Sequence, residues 1–455
     1  MTKSNNRLAL ALLAHVTGAH PAAWMVSART KNPSNDVDYF ADMAALAEAG
    51  RFDLFFLADT PAARTENLDA WSRYPMYMNI LEPVTLLTAL AGRTRHIGLG
   101  GTASTSFHEP YNLARLFGSL DHISKGRAAW NVVTSSNDYA ARNFGLHAMP
   151  PHARRYDRAR EFVDVVKALW DTYDDDAVIF DKEQGVYFDP SKFHPLDHDG
   201  EFIKLHGALN LARSPQGRPV IIQAGSSEAG KELAAETAEV VFTSHETLAE
   251  AQAFYRDLKG RMAKFGRTPD QLKILAGLSP TVAESKAAAD ARHQALQDMI
   301  HPVVGYQRIG MDLEADLSDL DPDQPIPLDR IPKSANLSTV YFEQIVRLIR
   351  DERLTPRQLW QRYERGNAPA RGTASEIADR MEEWFTQGAC DGFMLTFPVL
   401  PAGLADFVAE VVPELQGRGL LRREYEGETL RDHLGLNRPT SRYAAPEVRP
   451  AGVAR

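Results

Sequence analysis

The chain has 455 residues, 44% hydrophobic and 24% charged, with a formal charge of −9. This is the make-up of a soluble globular protein; it argues against a nucleic-acid surface, and no block of lysine or arginine contradicts that. The one cysteine, Cys390, excludes an intrachain disulfide or a thiolate metal cluster and fits a reducing, cytoplasmic compartment, and no stretch approaches the roughly 20 apolar residues that cross a membrane.

Short apolar runs alternate with amphipathic stretches along the whole chain. Residues 8–16 are apolar with no small-x-small cleavage site behind them, so they read as a buried first strand rather than a signal peptide. A helical stretch, 37–49, follows. Strand 52–58 then precedes helix 83–91, and strand 97–101 precedes helix 112–123. Strand 128–133 precedes helix 157–173, where Phe162, Val166, Leu169 and Tyr173 share one face. Three further pairs are 219–224 with 228–237, 240–243 with 248–265, and 274–282 with 284–299. Thr373 and Glu376 form a capping-box signature for helix 374–387, which leads to strand 392–397 and a closing helix, 404–415. The strands are continuous apolar runs, the mark of parallel strands buried on both faces. Eight such units predict an α/β fold, a (β/α)8 TIM barrel formed as one domain over 1–455. An open doubly wound sheet would carry a Gly-rich first turn that is missing here. Two stretches break the alternation and are expected to be insertions. One is the polar 174–218; the other is 301–371, Pro-rich around 321–332 with a helix over 339–350.

In such a barrel the chemistry lies at the carboxyl ends of the strands. Those ends carry small hydroxyls and amides, and lack paired carboxylates, clustered histidines or a nucleophile with its base. Such a lining suits a bound cofactor that brings its own reactivity. The turn Gly225-Ser226-Ser227 follows a buried strand and opens a helix, so its N–H groups, dipole end and two hydroxyls form a phosphate site. The plainer reading makes Ser226 or Ser227 only an N-cap. The stretch 225–232 nearly matches a nucleotide P-loop, but Glu232 stands where magnesium needs a Ser or Thr. His194, Asp197, His198 and Asp199 are close in sequence, yet Pro195 disfavours the helix that would align the imidazoles. A solvated loop without metal is expected there, and a solvated turn at Asp174-Asp175-Asp176. Cys390, Trp170 and Trp384 read as packing residues.

The fourth strand carries a more specific signature. Gly126-Arg127-Ala128-Ala129-Trp130-Asn131-Val132-Val133-Thr134-Ser135, continued by Ala141-Arg142-Asn143-Phe144-Gly145, resembles the bacterial-luciferase-like FMN-dependent monooxygenases. The resemblance is to the branch that holds nitrilotriacetate monooxygenase component A, dibenzothiophene-sulfone monooxygenase and long-chain alkane monooxygenase. Leu120-Asp121-His122, Arg155-Tyr156-Asp157, Asp391-Gly392-Phe393 and the stretches 52–59, 219–228 and 411–416 agree in order, so it covers roughly 40–439.

The resemblance implies an enzyme that takes reduced FMN (FMNH2) from a separate NAD(P)H:FMN reductase. The flavin reacts with O2 to a peroxide that oxygenates a small organic substrate, by N-dealkylation, C–S cleavage, hydroxylation or Baeyer–Villiger insertion. It also implies a homodimer or homotetramer. Carried over position by position, it puts Asp59 and Thr102 near the isoalloxazine and Asn131 and Ser136 by the flavin or its ribityl chain. His152 and Tyr156 join Gly225, Ser226 and Ser227 at the phosphate. No catalytic residue is singled out, although His15, His20 and His245 are candidates for proton transfer, and Ser136 stands where some relatives carry histidine. Residues 15–24 and 301–371 match least and are expected to shape the substrate pocket. The alternatives are a deazaflavin-dependent dehydrogenase of the same superfamily and a flavin-binding protein without catalysis.

Overall fold

The computed structural model describes residues 7–335, 339–363, 366 and 368–444. The ends of the expected single domain, 1–6 and 445–455, and parts of the second insertion (336–338, 364, 365 and 367) lie outside the described residues. Eight strands run parallel: β1 (Ala9–Leu13), β2 (Leu54–Leu57), β3 (Gly98–Ser104), β4 (Ala128–Val133), β5 (Val220–Gln223), β6 (Val240–Thr243), β7 (Lys273–Val282) and β8 (Gly392–Leu395). Each pairs with its neighbour in chain order, and β8 pairs with β1, so the ring is shut. The principal outer helices are α1 (Val37–Ala49), α2 (Pro83–Ala91), α3 (Pro110–Ile123), α4 (His152–Trp170), α5 (Glu228–Thr237), α6 (Leu248–Arg261), α7 (Lys286–Asp298) and α8 (Ala374–Thr386). The expected (β/α)8 barrel with insertions is present. Trp170, Trp384 and Cys390 are buried as expected.

The two insertions are more ordered than their composition suggests. Two antiparallel hairpins occupy the first, Val178–Asp181 with Val186–Phe188 and Leu196–Asp199 with Lys204–Gly207. His198 therefore sits on a strand rather than in a solvated loop, and its Nε2 lies 3.0 Å from Glu161 Oε1. Asp175 is not simply solvated either. It binds both nitrogen-rich ends of Arg213 and Arg438, which hold its carboxyl down at about 2. The second insertion holds helices Pro302–Leu313, Thr339–Glu352 and Pro356–Arg362 around a separate apolar cluster that includes Ile309, Ile345 and Trp360. An extra strand, Ala368–Gly372, extends the sheet beside the far half of β7. The expected closing helix is broken into Ala402–Asp406, a π-turn Phe407–Val411 and Val412–Gly417. Pro413 accounts for the break, because its ring has no N–H and crowds the carbonyl one turn back.

The barrel interior packs Ala11, Phe56, Ala129, Ile222, Leu275 and Met394. Its amino-terminal mouth is plugged by a short helix, Leu430–Leu434, which sends Leu430 and Leu434 into the same cluster. A Cβ on Gly98, at the start of β3, would lie 2.5 Å from Leu430 Cδ1, so only glycine leaves room for the plug. Arg431 fastens it. This guanidinium is 1% exposed, donates to Gln216 O at 3.0 Å, and grips Glu239 at 2.6 and 2.9 Å. Burial works against the Glu239 charge, but Arg431 outweighs it and holds the carboxyl at about 2.

Breaking that grip strands a buried charge, a loss of about 3–5 kcal/mol. Arg431→Met is therefore expected to lower unfolding stability by about that much at pH 7 in urea titrations. Because the folded pKa of Glu239 lies below its unfolded value, the pair's contribution is complete above about 4.5 and fades as pH falls toward 2. A variant as stable as the parent at pH 7 contradicts the account.

Candidate functional site

With the amino-terminal mouth plugged, polar groups gather at the carboxyl rim. Thr102 and Asn131 are register neighbours on β3 and β4, and Asn131 Nδ2 donates to Thr102 Oγ1 at 2.9 Å. Both are buried, and Asn131 Oδ1 has no partner. Gln223, the last residue of β5, repeats the arrangement: its Nε2 donates to Gly230 O at 3.4 Å while the buried Oε1 has no partner. A buried acceptor left unsatisfied costs about 1–3 kcal/mol. Two adjacent strands thus present carbonyl oxygens suited to a ligand's N–H or O–H groups.

A second group forms where α5 begins. Ser227 is the N-cap, its Oγ accepting the Gly230 N–H at 3.1 Å, so the plain capping role is filled. Its own O–H remains available as a donor. A Cβ on Gly225 would lie 3.0 Å from Gly230 Cα, and one on Gly230 would lie 3.2 Å from Tyr156 Oη. The turn, the first turn of α5 and the Tyr156 hydroxyl therefore meet with no space for side chains between them. His152 joins this group through Tyr156, with ring centroids 4.7 Å apart. Both belong to one face of α4, which starts five residues earlier than the sequence periodicity indicated. The start of α4 is tied to the rim: Arg155 donates to Ser135 O, and Arg158 Nε to Thr105 O at 3.2 Å. Ser135 holds a φ of +46° and shares a 2.7 Å hydroxyl contact with Ser104.

The charges beside the turn are balanced, so they do not oppose an anion. Glu228, next to Ser227, is drawn off by Lys231 and by Arg261, the latter at 2.8 Å. Lys231 also binds Asp257 at 2.7 Å, and Glu232 binds Arg261 at 2.7 Å. The lysine and glutamate of the near P-loop are thus committed to ion pairs with α6, which agrees with setting a magnesium-nucleotide site aside. Among the described residues, no group of three His, Cys, Asp or Glu side chains could hold a metal ion.

The remaining expected residues are dispersed. Asp59 is half-buried two residues beyond β2; burial first, then the Glu82 charge, push its carboxyl up to about 6 against the pull of the Thr60 N–H. Ser136 is exposed on the loop after β4. His245 Nε2 lies 3.0 Å from Thr243 Oγ1. Beside Asp59 a cavity of about 560 Å³ opens, reaching Leu57 and Ala58 and walled by residues from the 14–34 and 72–81 loops. His15 lines it and is held neutral, burial pushing its imidazole down to about 4. His20 lines it too: Nδ1 accepts the Ala22 N–H at 3.1 Å, and Nε2 lies 3.3 Å from Gln297 Oε1. Of the two segments expected to shape a substrate pocket, the first lines this cavity. No residue of 301–371 is among the described lining residues.

Sequence reasoning gave Gln223 no role of its own. The available signal was an amide ending the apolar run Val220-Ile221-Ile222. The 72–81 wall had no sequence signal, being a loop without period.

Residues 13–391 match the family model described as luciferase-like monooxygenase. Nitrilotriacetate monooxygenase component A of Aminobacter aminovorans is 46% identical over 452 residues, covering 97% of this chain and 99% of that protein. N-acetyl-S-(2-succino)cysteine monooxygenase of Bacillus subtilis (strain 168) is 44% identical over 448 residues, covering 98% and 100%. Among solved structures, a riboflavin lyase with modified FMN and riboflavin superposes with a TM-score of 0.83 at 31% identity, over 95% of this chain and 97% of that one.

Asp59 offers a check in the protein alone. Its folded pKa of about 6 lies above the unfolded 3.8, so the stability tied to its neutral form is present at low pH and lost as pH rises through 6. Asp59→Asn is expected to be about 1–3 kcal/mol more stable than the parent at pH 8 and equal to it near pH 3, by thermal melts. A difference that does not change with pH contradicts this environment for Asp59.

Proposed function

Because the chain belongs to the luciferase-like monooxygenase family, we propose that it is a two-component flavin monooxygenase taking reduced FMN from a separate NAD(P)H:FMN reductase. When bound, the reduced flavin supplies the chemistry that activates O2 for transfer to a small organic substrate. The observation that carries this reading is the meeting of Tyr156, His152 and the Ser226-Ser227 helix start around Gly225 and Gly230, together with the unpaired buried oxygens of Asn131 and Gln223 on the adjacent strands β4 and β5.

The residues present suit FMN. The phosphate finds hydroxyls, a phenol, an imidazole and backbone N–H groups, with the neighbouring acid Glu228 neutralised. The ribityl hydroxyls and the ring imide N–H are the donors that Asn131 Oδ1 and Gln223 Oε1 lack. Thr102 fixes the Asn131 amide, so the free oxygen points one way. Asp59 gains and loses its proton near pH 6 rather than near 3.8, next in the chain to Ala58 of the cavity wall. Leu57 and Leu86 give the cavity apolar walls, which disfavour water there. Ser136 is the position with the weakest support, exposed and outside both groups.

The test couples the full chain to a generic NADH:FMN reductase and follows O2 uptake and hydrogen peroxide release. O2 uptake is expected with FMN, with peroxide yield falling as an accepted substrate is added. Turnover of a deazaflavin without O2 uptake supports the dehydrogenase instead, and peroxide with every compound offered supports a silent flavoprotein. In parallel, the Ser226→Ala/Ser227→Ala double variant and Tyr156→Phe are each expected to weaken FMN binding about tenfold or more while leaving riboflavin binding unchanged. FMN affinity equal to the parent's in both would put the phosphate elsewhere.

A further inference from the structure

The cavity beside Asp59 has a charge pattern unlike that of the chain as a whole. The protein carries a formal charge of −9, yet the cavity is lined by Arg29 and Lys31 and by no aspartate or glutamate. Arg29 has a 47% exposed side chain; its guanidinium stands 5.2 Å over the Tyr39 ring, and Tyr39 Oη donates to Val16 O at 2.7 Å. Its nearest counter-charge, Asp42, is 3.7 Å away with a side chain 79% exposed, a pairing that solvent largely screens. Lys31 is exposed and has no ion-pair partner among the described residues. The lining also has an apolar part, Phe40, Leu57 and Leu86, all buried.

We propose that this cavity is the substrate site and that it selects an organic anion, a carboxylate or sulfonate whose charged end meets Arg29 and Lys31 while its apolar end lies against Leu57 and Leu86. The volume, about 560 Å³, is that of a small-molecule site. Two cations without internal acids attract such a ligand and reject cationic ones, and the neutral imidazole of His15 adds a polar contact without opposing the anion. The direction follows from burial: Arg29 and Lys31 are exposed to solvent, whereas Leu57 is buried at the carboxyl end of β2, so the carbon chain rather than the head group is presented toward the flavin site. This inference rests on the monooxygenase reading for the identity of the site, but anion selection itself does not require turnover.

The experiment is calorimetric titration of the full chain, saturated with FMN, using three probes matched in length: octanoate, octane-1-sulfonate and octanamide. At low ionic strength at least one of the two anions is expected to bind about tenfold or more tightly than the neutral amide, and the tighter one identifies the head group. The preference is expected to vanish in Lys31→Met/Arg29→Met, with octanamide binding unchanged. Octanamide binding as tightly as both anions, no binding of either anion, or a preference that survives in the double variant each overturns the proposal. Anion binding in a protein that shows no flavin-dependent O2 uptake would remove the monooxygenase reading and keep the anion site, so the two failures are distinguishable.

Discussion

Closure of the barrel is the constraint on which everything else depends. Once β8 pairs with β1, no strand edge in the ring is left open, and all eight carboxyl ends face one rim. The other mouth is closed by Leu430 and Leu434, seated over Gly98 and clamped through Arg431 and Glu239. A ligand has one face left to enter. The apolar plug provides the burial, while the ion pair fixes its orientation, because a buried guanidinium must find every partner it has or destabilise the fold.

At the open rim the opposite condition holds. Asn131 and Gln223 keep buried oxygens unpaired, Ser135 holds a left-handed backbone, and Asp59 sits where its charge is unwelcome. Each is unfavourable for the protein alone, and each is placed within a few residues of a strand end. A site that waits for a ligand's donors and anionic group accounts for all of them together. The division of labour follows: the strands position amides, the helix starts at α4 and α5 bring hydroxyls and N–H groups together, and the amino-terminal loop walls the adjoining cavity.

Much of the fold was legible because parallel strands buried on both faces are unbroken apolar runs. The runs at 128–133 and 240–243 were read to the residue, as were the helices at 37–49, 83–91 and 228–237. The α4 start was not, because Arg154, Arg155, Asp157 and Arg158 mask the apolar period, and its anchoring contacts run to loops distant in sequence. That displacement matters, since it is what puts His152 one turn before Tyr156. The hairpins in 174–218 were hidden for a related reason: they are held by ion pairs and edge pairing rather than by an alternating apolar face. Thr102, Asn131 and Tyr156 were named from the resemblance and Gly225 and Ser227 already from the turn itself; they are brought together in two clusters, Thr102 with Asn131 and Tyr156 with Gly225 and Ser227. Gln223 and the cavity wall needed three dimensions, because neither an isolated amide nor an aperiodic loop announces a contact.

The central claim is that the α5 helix start, with Tyr156 against it, is a phosphate site serving a flavin. Fluorescence titration of the unmodified protein with FMN and with riboflavin tests it most directly, since the two ligands differ only in that phosphate. The account predicts FMN binding about a hundredfold more tightly than riboflavin, with the gap narrowing as salt rises. Equal affinities for the two would contradict it.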